Sequence, residues 1–170
     1  MKNNIINILS ILLLIGIGLA ANACYSFKSI GIPPDMKTFQ VFPFDILADN
    51  VVPTLPITFT ERLKDKILQE SRLTYVENDP DVEFRGSIQE YDISAVAPEE
   101  GETTALNRLE ITVMIDYLNN LDENDTWKSS FSYFNDFGVD ENLLDIQDEL
   151  IENINEQLVE DIFNKAFGNW

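Results

Sequence analysis

Five apolar residues, Leu109, Ile111, Val113, Ile115 and Tyr117, recur at every second position. That period puts all five on one face of a β-strand and leaves Thr112 and Met114 on the other. Such a strand has one buried face and one wet face, so it belongs to a sheet that another layer must cover. Ile111, Val113 and Ile115 are therefore the predicted core of a central strand.

The flanking segments extend the sheet. Val82, Phe84, Gly86 and Ile88 alternate with polar residues, and then the apolar phase moves to Tyr91, Ile93 and Ala95. A two-residue period changes phase only through an extra residue, which predicts a β-bulge near Gln89 and Glu90. A turn is expected over 98–102 and a polar turn over 119–125. Trp127, Phe131 and Tyr133 start a further strand that reaches Phe137. Residues 37–44 are aromatic and β-branched, a strand that Pro43 ends or confines to an edge. Residues 73–76 form a short strand, stopped by Asn78-Asp79-Pro80.

Two segments change to a helical period. Over 58–71, Phe59, Leu63 and Ile67 form a stripe that Leu68 widens, with Thr54 or Thr58 as the cap. Over 140–167 the stripe is Leu143, Ile146, Leu150, Ile154, Leu158 and Ile162, with Asp140 as the expected cap and Glu141 at the positive end of the helix dipole. The order is β-α-β-β-β-β-α. The expected fold is a two-layer α+β sandwich, a mostly antiparallel sheet of four or five strands with two helices on one face. A hydrophobic fraction of 45% is ample for its core.

The N-terminus reads as a secretory signal peptide over 1–23: Lys2, an apolar heart over 8–19, then Ala20, Ala21, Asn22 and Ala23. The alternative is a membrane span over 5–23, which is just long enough. The only cysteine, Cys24, follows directly. Ala23 supplies the small residue that a bacterial lipobox needs, although Ala21 stands where leucine is usual. Cleavage would make Cys24 an acylated N-terminus, and each buried methylene contributes about 0.8 kcal/mol to membrane anchoring. Residues 24–36, with Gly31, Pro33 and Pro34, form the lipidated tether, and 37–170 form one domain. Neither an aspartate after Cys24 nor an acidic run follows, which by sorting conventions favours the inner leaflet of the outer membrane.

Composition excludes several functions. Acidic residues outnumber basic ones 30 to 11, for a net charge of −19, the wrong sign for nucleic acid. With no histidine and one cysteine, the chain has neither the commonest general base nor a Cys-rich metal site. No catalytic constellation, cofactor site or metal site stands out, so a non-enzymatic protein is expected. Asp122-Glu123-Asn124-Asp125 lacks calcium-loop spacing and reads as a hairpin tip. The first helix reverses the local charge: Arg62, Lys64, Lys66 and Arg72 are candidate contacts for anionic head groups. Their alternative role is a solvated face offset by Glu61, Asp65 and Glu70. Phe42, Met114 and Phe134, on strand faces turned from the helices, are candidates for a partner.

Several blocks in order carry a resemblance to a known family. They are Cys24-Tyr25-Ser26-Phe27, Ile32-Pro33-Pro34, Lys37-Thr38-Phe39, the run from Phe59 to Lys66, Ala105-Leu106-Asn107-Arg108-Leu109, and the run from Asn155 to Phe167. Together they resemble the lipopolysaccharide-assembly lipoprotein family, LptE, in its Bacteroidetes branch. The resemblance implies two helices on a mostly antiparallel sheet and a lipid anchor on the periplasmic face of the outer membrane. It also implies a role as plug and assembly partner of a large β-barrel, the lipopolysaccharide translocon LptD. Some members bind lipopolysaccharide through basic residues. A chain at −19 repels a phosphorylated glycolipid unless cations bridge them, so no lipopolysaccharide site is carried over. The competing reading is a periplasmic-face carrier holding a lipid or other apolar ligand between sheet and helices, which requires an internal pocket.

Overall fold

The computed structural model describes residues 31–97 and 105–168. In chain order the elements are β1 (Thr38–Val41), β2 (Asp45–Ile46), α1 (Leu55–Glu70), β3 (Thr74–Tyr75), β4 (Val82–Val96), β5 (Leu106–Asn119), β6 (Trp127–Gly138) and α2 (Leu143–Phe167). A single 3₁₀ turn, Glu123–Asp125, lies between β5 and β6.

β5 follows its alternation to the letter: Leu109, Ile111, Val113, Ile115 and Tyr117 are all fully buried. β4 pairs with it antiparallel from Val82↔Asn119 to Val96↔Leu106. Ile88 faces Val113 and Glu90 faces Thr112, so β4 carries one extra residue at the expected bulge. The bulge keeps Tyr91 and Ile93 on the same face as Val82, Phe84 and Ile88, opposite Ile111 and Leu109. β6 completes an antiparallel meander, pairing Trp127↔Tyr117 through Gly138↔Leu106.

The other half of the sheet is parallel. The strand order is β3-β1-β4-β5-β6, with β2 paired beside β4. β1 runs parallel to both β3 and β4, and β2 runs parallel to β4. The sheet is therefore mixed and has six strands, where a mostly antiparallel sheet of four or five was expected. The reason is α1: a strand-helix-strand crossover returns the chain in its starting direction. Pro43 interrupts the first strand, which ends at Val41 and resumes as β2 at Asp45. Asp81 ties the parallel half together. Its carboxylate accepts the backbone N–H groups of Lys37 and Thr38 at 2.7 and 2.9 Å, and its own N–H donates to the Thr38 hydroxyl.

Both helices pack on the apolar face. α1 begins at Leu55, a turn earlier than the apolar period shows, because Pro56 in the first turn has no N–H to leave unpaired. Thr54 is its N-cap residue but makes no side-chain cap bond. Phe59, Leu63 and Ile67 are fully buried. Leu68 is 42% exposed and does not widen the stripe, since it lies a further ~100° around the helix from Ile67. α2 starts at Leu143. Its cap is Asn142, whose side chain accepts from Leu144 N–H, and not the expected Asp140. Glu141 lies in the preceding turn, accepting from Gly138 N–H at 2.6 Å. Ile154, Leu158 and Ile162 are fully buried; burying each such side chain contributes roughly 1.5–3 kcal/mol.

The described chain begins against the end of α2. Gly31 N–H donates to Phe167 C=O at 2.8 Å, and Ile32 and Met36 are buried. Arg72 donates to the carbonyls of Ile32 and Pro33. The expected signal peptide, Cys24 and the turn over 98–102 lie outside the described residues.

Candidate functional site

Arg62 and Lys66 share a groove of about 480 Å³ between the two helices, lined also by Asp65, Glu70, Glu156 and Glu160. Neither faces it alone. Arg62 pairs with Glu152 of α2, and Lys66 bridges Glu160 of α2 and Glu70 of its own helix. Burial lowers the pKa of the Lys66 ammonium, but the two carboxylates outweigh it and the net shift is upward. Lys64 and Arg72 lie outside the groove. Lys64 pairs with Glu61 at 3.3 Å and sits 4.6 Å from the Tyr75 ring centre. Arg72 is held by the two carbonyls near the start of the described chain. All four head-group candidates thus have partners within the protein: Arg62 and Lys66 fasten α1 to α2, and Arg72, just beyond α1, holds the start of the described chain.

The sheet face turned from the helices is a second surface, laid with charge pairs. Arg108 of β5 makes a two-pronged contact with Asp136 of β6, at 2.7 and 2.9 Å. Its guanidinium lies 3.5 Å from the Phe134 ring centre. The Arg108 hydrogen bonds pull the Asp136 carboxyl below the usual carboxylate range, and Asp136 raises the pKa of Arg108 in turn. Lys128 pairs with Asp116 at 2.7 Å, and the Thr112 hydroxyl meets Ser132 at 3.1 Å. On β4, Arg85 pairs with Glu83 and lies 4.5 Å from the Phe42 ring centre.

Phe42 and Phe134, expected to meet a partner, thus each lie beneath an arginine. Met114 is half-buried in the middle of this face. The cross-strand pairs were not singled out from the sequence. Their signal is weak there, because opposite charges 28 residues apart become neighbours only once the β5–β6 register is known.

The hairpin tip at 122–125 is a capped turn. Asp122 accepts from Asn124 N–H, and Asp125 accepts from the Asn119 side chain at 3.0 Å. Among the described residues no group of three or more His, Cys, Asp or Glu could hold a metal, and no helix is long and apolar enough to cross a membrane. Among the described residues two buried side-chain polar atoms have no hydrogen-bond partner, the Tyr117 hydroxyl and Asn155 Oδ1. Burial accordingly pushes the Tyr117 pKa upward.

The fold has solved counterparts. Protein CT253 of Chlamydia trachomatis superposes with a TM-score of 0.53 at 8% identity, covering 78% of this chain and 99% of that one. A minor lipoprotein of Acinetobacter baumannii gives 0.51 at 10% identity, covering 76% and 91%. Lipoprotein B of Nitrosomonas europaea gives 0.50 at 12%, covering 80% and 84%. Identities this low establish a shared fold and nothing more. No curated protein matches the sequence. The model of the lipopolysaccharide-assembly family LptE matches residues 36–166, from two residues before β1 almost to the end of α2. With most of its length matched, and every element inside the match but for the last residue of α2, the chain belongs to the LptE lipopolysaccharide-assembly family.

Proposed function

We propose that this chain is an outer-membrane lipoprotein, acylated at Cys24 and facing the periplasm, that plugs and helps assemble the translocon barrel LptD. In that role it serves lipopolysaccharide transport to the outer leaflet. The observation that carries the reading is the outward sheet face. It is uncovered by either helix, yet Arg108–Asp136, Lys128–Asp116 and Arg85–Glu83 lay it with charge. Lumens of large barrels are polar, and a surface of hydrogen-bonding and charged groups suits one. A domain this size has a radius of gyration of about 15 Å. Barrels of about eight strands are filled by their own side chains, so the partner must be far larger.

The carrier reading needs space between sheet and helices. That layer is filled by Phe39, Phe59, Phe84, Ile111, Ile154 and Leu158, all fully buried. Its packing favours the plug.

Photo-crosslinkers at Arg85 and Lys128, whose side chains are 53% and 61% exposed, test the reading in cells. Adducts with one large barrel are expected. If neither position gives a barrel adduct while the folded lipoprotein is present, the plug is excluded. Mass spectrometry of the membrane-extracted protein should show a lipid on an N-terminal Cys24. An intact Met1 or an unmodified Cys24 would overturn the anchor.

A further inference from the structure

The two edges of the sheet are built differently. β3 ends one side with two residues, and β6 ends the other with twelve. Among the described residues β6 pairs only with β5, in one unbroken register. An antiparallel strand points half of its backbone N–H and C=O groups away from its neighbour. On an edge those groups are a template for another strand, which proteins usually blunt with proline, bulges, short length or lysines. β6 has no proline, and its only lysine, Lys128, is at its start and paired with Asp116.

A groove lies beside this edge. It measures about 300 Å³ and runs between Tyr133, Phe134 and Asn135 of β6 and the α2 residues Glu156, Gln157 and Glu160. Tyr133 and Phe134 are 39% and 43% exposed. Their rings stack with centres 6.1 Å apart, an aromatic pair at the edge itself. Glu156 is exposed and lines both this groove and the interhelical one. Carboxylates and ring faces both attract cations. A second copy of this chain would bring another −19 and another acidic helix wall to the same place.

We propose that β6 is a docking edge for an extended, basic segment of the partner barrel, which adds a strand to the sheet. Its backbone pairs with β6, and its Lys or Arg side chains on the helix-side face reach Glu156 and the Tyr133 ring. This deepens the plug reading and rests on it only for which protein supplies the strand.

Two measurements test it. In the first, the full chain in detergent is mixed with the peptide Lys-Val-Lys-Thr-Lys-Val-Lys, and amide hydrogen exchange is followed. Exchange in β6 should slow at least tenfold, with β3 unchanged, and Glu156→Lys should weaken peptide binding about tenfold. Equal binding by a peptide of the same charge with proline for threonine would overturn the docking edge, leaving charge attraction alone. So would protection, without peptide, of the β6 amides that point away from β5, or dimerisation through β6. In the second, crosslinkers are placed in cells at Ser130 on β6 and at Arg85 on β4. Barrel adducts from both support the edge. Adducts from Arg85 alone overturn the edge and keep the plug. Adducts from neither overturn the plug, and the peptide experiment then decides the edge by itself.

Discussion

The two faces of β5 alternate residue by residue, yet they do opposite work. On the inner face Ile111, Val113 and Ile115 are fully buried beneath the helices. On the outer face Arg108, Thr112 and Asp116 make hydrogen bonds or ion pairs with β6. The inner face is held by loss of apolar surface to water, which acts whatever the exact partner. The outer face is held by pairs that are worth about 0–1 kcal/mol each when exposed. Apolar burial and surface charge pairing are thus separated by one residue step along the strand.

The largest test of that division is Val113→Asp. It places an unpaired carboxylate between Ile88 and Phe131, which costs several kcal/mol and should abolish the cooperative thermal transition. Met114→Asp, one step away on the outer face, should shift the melt by only ~1 kcal/mol or less. Similar melting for the two variants would mean that the faces are not separated.

Gly86→Ala comes next. An added Cβ would meet the carbonyl oxygen of Met114 and lie 2.7 Å from the Phe44 ring. The β4–β5 pair must spread or the Phe44 ring must move, at a cost of about 1–3 kcal/mol. Chemical denaturation should show a lower midpoint with an unchanged slope. An unchanged midpoint would show that the inner face has slack here.

Acid exposes a smaller contribution. The Asp81 carboxyl is held below its ordinary range, chiefly by the backbone N–H of Lys37, with Thr38 adding to it. Asp136 is held down by Arg108. The unfolded chain binds a proton at a higher pH than either folded carboxyl. Their stabilisation is therefore complete above the ordinary aspartate range and is lost as pH falls through the lowered folded values. Asp81→Asn should cost about 1 kcal/mol at neutral pH and flatten the acid limb of a stability–pH curve. An acid limb identical to wild type would remove Asp81 as its source.

Tyr117→Phe is the mildest change. The hydroxyl is buried with no hydrogen-bond partner, so removing it should leave stability unchanged or raise it slightly. A loss above about 1 kcal/mol on thermal melting would reveal a partner for the hydroxyl.

Much of this architecture could be read locally. The β5 alternation, the β4 bulge, the break at Pro43 and both apolar helix stripes are periods of two or 3.6 residues within single segments. Helix ends and the edges of apolar stripes are less legible. Asn142 replaced Asp140 as the α2 cap, and Leu68 fell outside its stripe, because both depend on where a helix begins and which arc it buries. The candidate surface was less legible. The four cations over 62–72 stand out as a cluster, but the α2 carboxylates that Arg62 and Lys66 meet are 90 and 94 residues away.

Which residues alternate, which faces are apolar, the strong acidity and the need for an extra residue in β4 are all legible along the linear chain. Those properties depend on neighbours a few positions apart, which share one backbone conformation. Folding in three dimensions is what lays β1 parallel to β4, brings Arg108 to Asp136, shares Lys66 between two helices and leaves β6 as a long edge of the sheet. Each of these depends on register and packing between distant segments, and no local period encodes which segment will lie alongside.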